Sequence, residues 1–169
     1  AIAGLATAVI ATLDTDMVQA LTSSQVAALS TAQISALTSD QVAVLGTAQV
    51  SALSAAQIGA FSSDNIAALN TTQVPALSLK ALSALSSAQA DAMTSDQFGA
   101  LTTTQIAALS SSAISALSTD DLATFDTADI AAITAKSLVG LTSGNFAALS
   151  TTQVAALTSG QVGALTSSQ

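Results

Sequence analysis

Serine, threonine and aspartate are the plentiful side chains here that could do chemistry, and the partners such chemistry needs are missing. The 169 residues include no His and no Cys, so a hydroxyl nucleophile has no imidazole to activate it. Neither Lys80 nor Lys136 stands in a Ser-x-x-Lys arrangement with further signature residues. Carboxylates pair in the sequence at Asp120/Asp121 and Asp126/Asp129, but a glycosidase-like pair has to flank a shaped cleft. They read more simply as solvated acids in first helical turns. Calcium is the remaining candidate, at Asp14/Asp16 or across Asp120–Asp129. Against it, neither an Asp-x-Asp-x-Asp-Gly loop nor a glycine-rich nonapeptide is present. Met17 and Met93 are isolated. No catalytic, cofactor-binding or metal-binding residue is therefore assigned, and the chain is expected not to be an enzyme.

Composition narrows the partners. Ten Asp face two Lys, for a net charge of −8, which should repel nucleic acid and anionic membranes. Without Cys, neither a disulfide framework nor a thiolate metal site can form. No apolar run approaches the ~18 residues of a membrane span. The apolar residues 4–11 lack a basic flank and fit the pattern described next, so they do not read as a signal peptide.

That pattern is an eight-residue phrase. Residues 36–43, Ala-Leu-Thr-Ser-Asp-Gln-Val-Ala, are a clean copy, and twenty copies run from Gly4 to Gly163, with a partial one at 164–169. Position two is always large and apolar, and position seven is apolar, with Ala90 the small exception. Position three is a helix-capping type in every copy but the first, where Ala6 stands, and position six is usually Gln, as in Gln25, Gln33, Gln41, Gln49, Gln57 and Gln97. Ser or Thr followed three residues later by Gln is a capping box, and the apolar pair that brackets it is a hydrophobic staple. Asp at position five, in Asp16, Asp40, Asp64, Asp96 and Asp120, lies in the first turn, where the helix dipole favours it. For the given Ser and Thr residues, capping is the reading.

A start signal every eight residues predicts helices of about 6–7 residues at 3.6 per turn, too short to persist alone. They must stack on copies of themselves, as solenoid repeats do. The fold class is thus all-α, a solenoid of one very short helix per octad over residues 1–169, treated as one domain. The alternative is a β-solenoid, because Thr, Val and Ile are abundant. It is disfavoured because apolar spacings of five and three do not place side chains on one face of a strand. A single continuous helix would walk its apolar stripe around the surface. Stacking Lys80 between Asp64 and Asp96, and Lys136 on Asp120, favours two octads per coil. Three per coil would stack Asp16, Asp40 and Asp64. At ~8–10 Å per layer, ten such coils would make a rod on the order of 100 Å long.

The copies are uneven. Residues 4–11 have neither hydroxyl cap nor Gln, which suits a terminal or interface unit. Pro75 predicts an irregularity over Asn70–Leu82, because it removes a backbone donor. Ala90 ahead of Phe98 suggests volume compensation, and the four Phe residues read as core. Residues 140–145 are the loosest copy. The chain stops inside an octad, which is expected of a slice of a longer protein or of a unit that stacks end to end.

The phrases at 28–35, 36–43 and 148–155 resemble the Leu-Thr-Thr-x-Gln-Val/Ile repeats of very large bacterial surface exoproteins, described as related to adhesion or haem utilisation. The resemblance spans nearly the whole chain. It implies a secreted or cell-surface stalk or filament of bacterial origin. The uncapped ends favour longitudinal stacking, so end-to-end self-association is the expected partnership, with a host or matrix surface as a further expected partner. The haem label does not transfer, since no side chain here could ligate iron. The second expectation is a binding module whose regular Ser/Thr array, at Thr102–Thr104 and Thr151–Thr152, matches ice or polysaccharide.

Overall fold

A computed structural model describes residues 2–169. Among them are nineteen α-helices, from Thr7–Ala11 to Ser159–Ala164, two 3-10 helices (Ile2–Gly4 and Val74–Ala76), and no strand. The solenoid of short helices is what forms, and the β alternative is not. Most helices span five residues, one fewer than the shortest length expected. Position three holds extended backbone as N-cap, and position one of the next octad is already the C-cap, as with Thr38 and Val44 around Ser39–Ala43.

Each helix starts by the device its sequence encodes. In octad 36–43 the Thr38 hydroxyl accepts from the Gln41 N–H at 3.3 Å, and Gln41 Oε1 accepts from the Thr38 N–H at 2.9 Å. Asp14, Ser62 and Ser110 make only the first half of this arrangement, each accepting from the N–H three residues on. The first octad has no side-chain cap at Ala6, as its sequence requires. At Pro75 the α-helix is lost and a 3-10 turn over Val74–Ala76 replaces it. Asn70 Oδ1 then holds the turn by accepting from the Thr72 and Gln73 N–H groups, so the irregularity stays local.

A helix this short has no stability of its own, and burial supplies it. Positions two and seven form one continuous core, from Ile10 through Phe98 to Leu149. Each fully buried Val, Leu or Ile contributes about 1.5–3 kcal/mol. Three of the four Phe residues, Phe61, Phe98 and Phe125, are buried in it.

The number of octads per turn differs from the expectation of two. Helices pack on the helix three octads away. Thr103–Ala107 lies on Thr127–Ala132, Ser23–Ala27 on Thr47–Ser51, and Ala135–Leu138 on Ser159–Ala164. The rod therefore has three helical columns around one core, and seven layers at ~8–10 Å make it about 60 Å long. The charge argument failed for a physical reason. Asp16, Asp40 and Asp64 do stack in one column, but all three are exposed. Like charges in water cost well under ~1 kcal/mol per pair, less than the buried contacts that set the turn.

Candidate functional site

The densest polar constellation in the molecule is the set of position-six side chains. Gln33, Gln41, Gln49, Gln57, Gln73, Gln89, Gln97, Gln105, Gln153 and Gln161 are all buried. Their partners explain how an amide can lie in an apolar core. Gln89 Oε1 accepts from the Ser86 N–H at 3.0 Å, closing its own capping box. Its Nε2 donates to the Ile58 and Phe61 carbonyls, each at 3.0 Å and 31 and 28 residues earlier. Those carbonyls belong to the preceding turn. Gln41 does the same toward Ile10 and Leu13, and Gln161 toward Ile130 and Ile133. The oxygen faces a donor and the nitrogen faces acceptors, so only one orientation of the amide satisfies both.

This second role is what the sequence reading missed. A capping box accepts Glu as readily as Gln, and Asp121 and Asp129 do close such boxes at position six. A carboxylate could close the box but could not donate to two carbonyls. The predominance of amides at position six, interrupted at Val9, Met17, Ala81, Ala113, Asp121, Asp129 and Ser137, was the available signal.

The substitutes keep parts of the arrangement. Asn65 Nδ2 reaches only the Leu37 carbonyl, at 3.0 Å, and its helix has no capping box. Asn145 Nδ2 likewise donates to the Leu117 carbonyl, so the copy at 140–145 still docks. Ser137 Oγ donates to the Leu109 carbonyl at 2.7 Å. Gln169, in the partial octad, donates to Leu138 and Leu141 at 3.0 and 2.8 Å.

The acids singled out for chemistry are distributed along this scaffold. Asp121 is buried, with Oδ2 accepting from the Ser118 N–H and hydroxyl at 2.8 and 2.7 Å, and Oδ1 from the Ser95 hydroxyl at 2.7 Å. Its sequence neighbour Asp120 is exposed in the first helical turn. Asp126 caps by accepting from the Asp129 N–H, and Asp129 accepts from the Asp126 N–H and the Thr103 hydroxyl. Asp14 caps the Met17 N–H at 2.7 Å. Among the described residues no group of three or more acids is placed to hold a metal ion. Lys80 and Lys136 are exposed. The hydroxyls of Thr102 and Ser150 are caps, while Thr104, Thr151 and Thr152 are exposed on the outer surface.

A column of stacked, individually unstable units with a through-running core and an inter-turn hydrogen-bond ladder defines a helical solenoid repeat protein. The family follows from comparison. Five overlapping matches to the ALTTAQ repeat, at residues 26–55, 47–79, 76–111, 122–159 and 130–169, cover most of the chain, which belongs to that repeat family. No curated protein and no solved structure matches it significantly. Among the described residues, no helix is long and apolar enough to cross a membrane.

Proposed function

We propose that this chain is a structural rod, an extracellular stalk or self-assembling filament segment in which reach and regularity are the function. The observation that carries the reading is the open-ended turn-on-turn interface. Its two halves are displayed at opposite ends of the rod. The first turn exposes Leu5, Val9 and Met17 (38%, 42% and 54%) and the Gln25 side chain. The last exposes Val154 and Val162 (45% and 52%), above carbonyls of the kind the amide ladder uses. The neighbour these faces fit is another turn of the same repeat, whether a continuation of this chain or a second copy. Secretion, a bacterial surface and contact with a host or matrix rest on the resemblance of the repeat phrase.

One-ended variants test the stacking. Met17→Asp blocks the first face and Val162→Asp the last. Wild-type protein should form linear particles by electron microscopy, each variant alone should remain monomeric, and their mixture should stop at dimers. Dispersed short monomers in the wild type at high concentration would sink the filament reading.

A second reading is favoured by one observation. The column of Thr7–Ala11, Thr31–Ser35, Ala55–Gly59, Leu79–Ser83, Thr103–Ala107, Thr127–Ala132 and Thr151–Ala155 presents almost only Thr and Ala at positions four and five, interrupted by Leu79 and Lys80. Such a face suits ice or polysaccharide, and thermal hysteresis or glycan binding would read it.

A further inference from the structure

Inter-turn amides are distributed unevenly along the rod. From Gln33 to Gln105 the ladder misses only the octad of Ala81, and it is complete again from Gln153. Between them, four consecutive octads carry no amide at position six, and in the first three, at Ala113, Asp121 and Asp129, no other side chain takes over its donation, whereas the Ser137 hydroxyl does so in the fourth. Three octads are one whole turn, so every column loses its amide–carbonyl tie at the same level. Among the described residues, no side chain of 108–131 donates to a carbonyl of the turn before it. Polarity is reversed there, because Asp121 and Asp129 accept from Ser95 and Thr103 at 2.7 and 2.9 Å. Packing replaces the missing ties. Phe98 meets Phe125 edge-on, with centroids 6.4 Å apart. Gly99 leaves room for Thr124, whose Cβ would stand 3.2 Å from an added methyl.

We infer that the level between residues 107 and 108 is a built-in compliance plane, where the rod bends or parts before it yields elsewhere in its interior. Apolar contacts are non-directional and tolerate sliding and rotation, whereas paired amide–carbonyl bonds fix the relative position of two turns. In a quasi-one-dimensional fold each turn is held only by its neighbours, so one level without amide–carbonyl ties, bridged only by the hydroxyl bonds to Asp121 and Asp129, localises the motion. Helices this short lose their protection when the level opens.

Native-state hydrogen exchange on the full chain tests this. The informative amides are those of Ile114, Leu122 and Ile130, compared with Ile34, Val42 and Val50 in the second turn, each bonded to its own cap carbonyl. Protection should be at least ~10-fold lower in the first set. Fraying from the ends predicts the reverse, because the second turn lies nearer an end. Replacing Ala113, Asp121 and Asp129 together by Gln should bring the two sets within about threefold of one another. Should that variant not fold, Asp121→Asn with Asp129→Asn supplies single donors of the kind Asn65 makes, and should narrow the gap. Equal protection in the wild type overturns the inference, as does a gap unmoved by the restored donors in whichever variant folds.

Discussion

At the scale of the residue, the position-six glutamine joins two structures with one amide. Its oxygen completes the start of its own helix, and its nitrogen ties that helix to the turn below. Net hydrogen bonds contribute about 0.5–1.5 kcal/mol each, and a buried group left unpaired costs about 1–3 kcal/mol. Gln89→Glu separates the two roles. The introduced carboxylate can still accept from the Ser86 N–H but faces the Ile58 and Phe61 carbonyls without a proton to offer. At neutral pH the variant should lose about 2–4 kcal/mol of stability in urea unfolding. The pH dependence follows in sign. Facing carbonyls holds the folded carboxyl's pKa above its unfolded value, so the folded state binds more protons. The penalty is therefore small below the ordinary Glu range and grows as pH rises through it. A variant equally unstable at pH 4 and pH 7 would show that shape, not proton donation, selects Gln. The capping half of this residue was legible from spacing alone. The tying half was not, because it depends on a residue 28 positions away whose only contribution is a backbone carbonyl.

At the scale of the element, five residues are a helix only because both ends are supplied and one side is buried. Almost all of this was readable: the caps, the staple, the disturbance at Pro75. Gly140 was less so. In sequence it stands where Ala is usual and suggests looseness. In the structure it marks tightness, since a methyl there would come within 2.2 Å of the Ser111 carbonyl oxygen. Its backbone has no positive φ, so space rather than conformation demands glycine. Gly140→Ala should cost about 1–3 kcal/mol through overpacking, visible as a lower melting temperature by circular dichroism. Gly59→Ala is the control, because an added Cβ there meets nothing within 4 Å; inside a helix it should be neutral or mildly stabilising. Equal effects at the two sites would mean that the approach of Ser111 relaxes freely.

At the scale of the whole molecule, the rod is additive. Octads share the same inward positions, and each turn contacts only its neighbours. Excising residues 36–43 moves every later helix by one column but preserves its core and ladder positions. The shortened chain should fold cooperatively and melt within about 5 °C of the parent. Excising 40–43 alone joins half an octad to the next and should unfold that region. If the eight-residue deletion is as damaging as the four-residue one, the octads are not interchangeable. Equivalence of this kind is also why the turn size could not be read correctly. When every octad offers the same apolar pair, two, three or four per turn satisfy the core pattern alike. The surface acids that seemed to choose between them are too well solvated to do so.

The amide ladder has one more consequence. Gln41 reaches back to Ile10, Gln89 to Ile58 and Gln161 to Ile130, so these donations between turns run toward the start of the chain. The rod is an arrow. Turned end for end, two such arrows would oppose donor to donor or acceptor to acceptor, and a two-fold pair formed through the ends cannot reproduce the internal contact. Any joining of such rods through the turn-on-turn contact would therefore be directional and without closure. The same contact, repeated, would add turns in one sense only.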